Sequence, residues 1–182
     1  HTTDSHQIII VDTPGVHKPH DTLGEELNTT ALKSLEGIDV AAFVLDASAP
    51  FGTGDEWVIS QLAQCSMPKL LVLSKIDLVT QEELDLQRQR ALEAGQWDGV
   101  VALSSVTGEQ IDTFIELVEQ FLPAGPLWFP ADMETDQPIE VIIAEFIREK
   151  ILLTAHDEVP HAVGVVVEDM EYNRRKNLEK IY

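Results

Sequence analysis

Four short apolar runs recur along the first part of the chain: QIIIVD at 7–12, DVAAFVLDAS at 39–48, KLLVLSKID at 69–77 and GVVALSS at 99–105. Each is nearly continuous in hydrophobicity instead of alternating, the pattern of strands covered on both faces of a parallel sheet. Segments of helical periodicity separate and follow them at 22–36, 55–65, 81–94 and 108–122. In the last of these Ile111, Phe114, Ile115, Val118, Phe121 and Leu122 share one face. The order βαβαβαβα predicts right-handed crossovers and an α/β fold with a doubly wound, mostly parallel sheet.

The pattern breaks at 123–138, PAGPLWFPADMETDQP, where four prolines and a glycine read as a linker. Residues 1–122 are therefore expected to form one domain and 139–182 another. IEVIIAEFIREKILLTA, from 139, predicts an amphipathic helix with Ile139, Ile142, Ile143, Phe146, Ile147 and Leu153 at helical spacing. AVGVVVED reads as a strand, and KIY as the start of another. A helix, a strand and part of a second strand bury too little to complete a core, so the second, α+β domain is expected to be incomplete within these residues.

Composition narrows the function classes. At 182 residues and 44% hydrophobic content the chain can bury a real core. Its 12 basic against 32 acidic residues give a formal charge of −20, which opposes broad binding to nucleic acid. Basic residues gather only at the end, where Arg174, Arg175, Lys176 and Lys180 form a local patch. No apolar run is long enough to cross a bilayer and no basic start leads into an apolar core. The single cysteine, Cys65, excludes an internal disulfide, which suits the cytoplasm.

The candidate chemistry lies at three strand ends. Asp12-Thr13-Pro14-Gly15-Val16 follows the first run, Ser74-Lys75-Ile76-Asp77 the third, and Leu103-Ser104-Ser105 the fourth. Pro14 has no N–H for a ladder and Gly15 tolerates unusual backbone angles, so the first run ends with a carboxylate at the sheet edge where ligands bind in open α/β folds. Taken singly these are a turn, a polar strand end and a helix cap. Together they resemble the third, fourth and fifth motifs of a GTP-binding domain. Guanine presents a ring N–H and an exocyclic amino group side by side, and one carboxylate, Asp77, can accept from both. The Lys75 stem can lie along the base, and a backbone N–H near Ser105 can donate to the guanine carbonyl oxygen. Gly15 N–H would face the γ-phosphate, and Asp12 would hold Mg²⁺ through water.

DTPGVHKPHDTLGEELNTTALKSLEGIDVAAFVLDAS, LSSVTGEQID and AEFIREKILLTAHDEVPHAV are similar to the bacterial Era family of GTPases, and the resemblance spans essentially all of the chain. It implies a P-loop GTPase-like domain followed by the opening of a KH-type RNA-binding domain. It further implies GTP and GDP as ligands, Mg²⁺ as cofactor, and GTP hydrolysis in the full-length protein. The implied partners are small-subunit ribosomal RNA and the small ribosomal subunit during ribosome assembly, with the missing KH portion carrying the contact. The implied location is the cytoplasm, with loose peripheral attachment to the inner membrane. Two other readings compete: a binding module for RNA or protein without turnover, and another GTPase of the superfamily such as one for tRNA modification.

The sequence departs from the family pattern at several points. No Gly-Lys pair occurs, so the G-x-x-x-x-G-K-[ST] phosphate loop is absent and is expected before residue 1; these residues alone are expected not to hydrolyse GTP. No G-x-x-G RNA clamp occurs either. Ser74 stands where the family usually has Asn, and a hydroxyl cannot act as both amide donor and carbonyl acceptor. Val16 stands where many small GTPases have a water-positioning Gln, so no catalytic residue is assigned. Thr2 and Thr3 lie too near Asp12 to be the switch threonine. His17 and His20 lack further ligands for a metal site, and Trp128 and Phe129 are read as packing residues.

Overall fold

The computed structural model describes residues 1–13, 35, 37–133, 135–154, 163–173 and 178–181. The predicted helix at 22–36 lies almost wholly outside them, as do Pro14, Gly15, Val16, His17, His20 and the cluster Arg174, Arg175 and Lys176. Two units are distinguished, His1–Trp128 and Phe129–Tyr182.

The first unit is built on β1 (Ala41–Asp46), β2 (Lys69–Ser74) and β3 (Gly99–Ala102), parallel and in spatial order β1-β2-β3. Ala41 lies opposite Lys69, and Leu70 opposite Gly99. Helices α1 (Thr53–Leu62), α2 (Gln81–Ala94) and α3 (Ile111–Glu119) connect or follow the strands. Thr80 starts α2 with a capping box: its hydroxyl accepts from Glu83 N–H at 3.3 Å while the Glu83 carboxylate accepts from Thr80 N–H at 2.8 Å.

β2 is central, so its apolar run is buried on both sides. Leu71 and Leu73 pack with Leu45, Ala91, Leu84 and Trp97 on the α2 side; Leu70 and Val72 face Phe114, Leu117 and Val118 of α3. A Cβ on Gly99 would lie 2.7 Å from a Leu117 methyl, so α3 reaches the sheet there only because that position lacks a side chain. This is the doubly wound, parallel arrangement that the apolar runs predict.

The run at 7–12 departs from its prediction. Residues 8–12 form no strand; Thr2 and Gln7 make an isolated antiparallel bridge, and Ile8 exchanges backbone hydrogen bonds with His1 at 2.8 and 3.0 Å. Ile8 is buried against Leu70 and Val118, yet Ile9, Ile10 and Val11 are exposed. Hydrophobicity alone does not make a strand, because a ladder needs a neighbour to take its N–H and C=O groups. Among the described residues no strand pairs with 8–12, where only Ile8 has a backbone partner, His1, and β1 pairs only with β2.

In the second unit, helix α4 (Ile139–Thr154) stands where the sequence predicts it. Of its expected apolar stripe Ile139, Phe146, Ile147 and Leu153 are exposed, and Ala144 is its buried residue. AVGVVVED is not a strand over 163–169; an antiparallel pair forms later, β4 (Met170–Asn173) with β5 (Leu178–Ile181). The pairing explains the shift: Met170 lies opposite Ile181, which gives 170–173 a ladder that 163–169 lack among the described residues. Val163 C=O instead accepts from Arg148 Nε at 3.1 Å. No helix among the described residues is long and apolar enough to cross a membrane.

Candidate functional site

The turns after β2 and β3 are bound into one corner. At the end of β2, Lys75 adopts a left-handed backbone conformation, φ 59° and ψ 37°, and leads into a single 3₁₀ turn, Ile76–Leu78, that carries Asp77. After β3, Leu103 N–H donates to Leu73 C=O at 2.8 Å and Ile76 N–H donates to Leu103 C=O at 3.4 Å, so each turn supports the other. The link between side chains is stronger: Ser104 Oγ donates to Asp77 Oδ1 at 2.5 Å. A bond to an ionised carboxylate is charge-assisted and directional, which fixes the carboxylate's orientation.

Ser104 is held by its own loop. It is fully buried; its N–H donates to Glu109 C=O at 3.1 Å, its C=O accepts from Gly108 N–H at 3.0 Å, and its hydroxyl accepts from Thr107 N–H at 3.2 Å. The loop closes at Gly108 with φ 80°, a region that a Cβ disfavours. Ser105 N–H finds no acceptor among the described residues. An exposed carboxylate with one oxygen anchored and a free N–H on the next loop form a hydrogen-bonding edge of the kind that a guanine base matches, and the carboxylate retains lone pairs for two further donors.

Ser74 Oγ donates to Leu45 C=O at 3.1 Å, tying the ends of β1 and β2 together. Lys75 Nζ donates to Asp46 Oδ2 at 2.5 Å across the same two strands. Asp46 Oδ1 accepts from Ser48 N–H at 2.9 Å and Ser48 Oγ at 2.6 Å. The Lys75 bond, then the Ser48 hydroxyl, hold the Asp46 carboxyl below its ordinary range. Asp46 and Ser48 were not singled out in the sequence, although Asp-x-Ser after an apolar run is the signature of an Asx turn.

The third strand-end motif does not join this corner among the described residues. Asp12 is exposed and Thr13 half-buried, and among the described residues no hydrogen bond or ion pair links either to Asp77 or Ser104. Pro14, Gly15 and Val16 lie outside the described residues. Thr2 and Thr3 belong to the N-terminal turn, hydrogen-bonded to Gln7 and His6. No cluster of three or more metal-ligating side chains occurs among the described residues. Asp12 supplies a hard, solvent-facing oxygen, the donor type that Mg²⁺ accepts through its water shell.

A family model described as the elongation factor Tu GTP binding domain matches residues 1–124, and the chain belongs to that family of GTP-binding domains. The chain is also similar to two solved structures of Era. One is Era in complex with MgGDPNP and nucleotides 1506–1542 of 16S ribosomal RNA, at 29% identity and a TM-score of 0.78. The other is a variant of Aquifex aeolicus Era bound to GDP·AlF4⁻, at 28% identity and a TM-score of 0.74. Each similarity covers 90% of this chain and 56% of the Era chain, so the chain spans little more than half the length of these relatives.

Proposed function

We propose that the protein carrying these residues binds GTP with Mg²⁺, hydrolyses it to GDP and phosphate, and binds small-subunit ribosomal RNA in ribosome assembly. The observation that carries the nucleotide reading is Asp77, presented on a 3₁₀ turn with its carboxylate oriented by the buried Ser104 hydroxyl. In this reading Asp77 accepts from the guanine ring N–H and amino group, Ser105 N–H donates to the guanine carbonyl oxygen, and the Lys75 stem lies along the base. Leu103 and Ile76 join the two turns through their backbones, and Ser74 ties them to β1. Adenine lacks the paired donors, so ATP would leave the carboxylate unpaired, a penalty of roughly 1–3 kcal/mol.

Asp12 is the residue suited to hold Mg²⁺ through water, and in this reading Thr13, Pro14, Gly15 and Val16 are the residues that meet the phosphates. Bound there, the ion would neutralise phosphate charge. Val16 has no group with which to orient water, so that role falls to another residue. The RNA part of the reading draws on the Era structure solved with a 16S fragment and on the resemblance of the second unit to a KH opening. With a charge of −20 in these residues, RNA contact would have to be local. The location that goes with this proposal is the cytoplasm, with loose attachment to the inner membrane.

The test uses the full-length protein: competition of GTP, GDP and ATP for a fluorescent GDP analogue, single-turnover hydrolysis with and without Mg²⁺, filter binding of small-subunit ribosomal RNA, and fractionation of cells. Preference for guanine nucleotides and Mg²⁺-dependent turnover are expected. Equal competition by ATP would overturn the base assignment. Tight binding without turnover would leave a non-hydrolysing binding module as the better reading.

A further inference from the structure

We infer that Asp46 is a positioning residue for guanine-nucleotide binding, holding the Lys75 side chain in place beside Asp77 before the base arrives. The inference rests on the nucleotide reading above and extends it to a residue outside the three strand-end motifs.

Asp46 closes β1 and lies opposite Ser74, the last residue of β2. One carboxylate oxygen is used within its own turn, where Ser48 donates twice, from its backbone N–H and its hydroxyl. The other oxygen faces the neighbouring strand end and takes Lys75 Nζ at 2.5 Å. The carboxylate is thus immobilised by β1 and its Asx turn, and the lysine comes to it.

Lys75 is therefore fixed at both ends. Its backbone sits in the left-handed region, which residues with a Cβ seldom adopt, and its ammonium is tied to a residue 29 positions away in the chain. A half-exposed lysine–carboxylate pair contributes little to stability on its own, so its significance lies in geometry. A lysine is among the most rotamer-rich side chains, and freezing it on binding costs affinity unless the protein has already done so. Two residues on, Asp77 is likewise held by Ser104. The acceptor for the base edge and the apolar stem for the base face are both set by bonds made inside the protein. Pairing with Asp46 also draws the ammonium away, which leaves the methylene stem as the surface offered to a ring.

The experiment is a double-mutant cycle in the full-length protein. Dissociation of a fluorescent GDP analogue is followed by stopped flow for the wild type, Asp46→Ala, Lys75→Met and the double variant, with thermal unfolding of each alongside. Asp46→Ala is expected to speed dissociation roughly 2–12-fold, corresponding to about 0.5–1.5 kcal/mol for one immobilised side chain. In the Lys75→Met background the same substitution should add nothing, because the group that Asp46 positions is gone. Ser48→Ala keeps the carboxylate but removes one anchor, and should give a smaller acceleration in the same direction; it serves if Asp46→Ala folds poorly. Wild-type dissociation in a folded Asp46→Ala protein, or an acceleration that persists undiminished beside Lys75→Met, would overturn the inference. Failure of the wild type to bind any guanine nucleotide is a separate result and would overturn the nucleotide reading beneath it.

Discussion

Replacing Ser104 by Ala removes a hydroxyl that is fully buried and makes two bonds, one to the Asp77 carboxylate at 2.5 Å and one from Thr107 N–H at 3.2 Å. A bond to a charged group is worth roughly 1.5–3 kcal/mol net when buried, and the lower end applies here because Asp77 itself faces solvent. The Thr107 bond adds about 0.5–1 kcal/mol. The expected loss of stability is therefore about 2 kcal/mol, or roughly 5–10 °C in Tm for a domain of this size. Circular dichroism melts of residues 1–182 measure it, with Ser60→Ala as control; that hydroxyl, on the exposed face of α1, donates to Trp57 C=O at 2.6 Å and accepts from Gln61 Nε2 at 3.3 Å, both solvent-exposed bonds within its own helix, and should shift Tm little. In the full-length protein the same change frees the Asp77 carboxylate to rotate and should weaken GDP roughly tenfold, equivalent to about 1.4 kcal/mol. A Ser104→Ala protein with unchanged Tm and unchanged GDP affinity would refute the view that this hydroxyl orients the carboxylate.

Asp77→Asn should shift preference from guanine toward xanthine nucleotides, because an amide can donate to the extra carbonyl of xanthine; nucleotide competition on the full-length variant reads it, and unchanged GTP affinity counts against the assignment. Ser74→Asn should tighten GDP by about 0.5–1.5 kcal/mol in calorimetry, since among the described residues the Ser74 hydroxyl bonds only Leu45 C=O and an amide can reach further; weaker binding would mean that this tie is the better use of the position. Because Asp46 titrates below its ordinary value of 3.8 in the folded chain, its contribution is present above about pH 3.8 and is lost as pH falls through the lower folded value, so the stability gap between wild type and Asp46→Asn should close in strongly acidic urea titrations. Leu71→Ala, at a fully buried position of β2, should cost about 2.7–5 kcal/mol in urea unfolding.

The elements most legible in the sequence are those whose local signals and surroundings agree. KLLVLS at 69–74 is continuous in hydrophobicity because β2 is covered on both faces, and α2 begins where Thr80 and Glu83 write a capping box. QIIIVD carries an equally apolar pattern but makes no ladder among the described residues, since periodicity reports the residues and not the neighbour they require. AVGVVVED fails in the same way, and β4 forms where an antiparallel partner exists. At the site, Asp77, Lys75 and Ser104 are recognisable from motif spacing, but the bond from Ser104 to Asp77 is not. It spans 27 residues and depends on how two strand ends meet. Asp46 escaped for the same reason: its partner is 29 residues away, and only its Asx turn is local.

The corner that reads as the base site takes its rigidity from β2. Leu70, Leu71 and Leu73 are fully buried and Val72 nearly so, and both turns of the site hang from that strand: Leu73 C=O receives Leu103 N–H, and the next residues are Ser74 and Lys75. The turn after β2 is tied across to two neighbours, β1 through Ser74 and Lys75, and the β3 loop through Asp77. A close-packed strand cannot shift by a fraction of an ångström without opening voids on both its faces. The polar groups at its end are therefore held by the core as much as by their own hydrogen bonds. That arrangement suits recognition of a flat ring, where a carboxylate must meet two donors at fixed spacing, better than it suits a phosphate chain, whose charge can be met from several directions. The corner proposed to discriminate the base is thus built on the most buried strand, whereas residues 8–12, which end in Asp12, pair with no strand among the described residues.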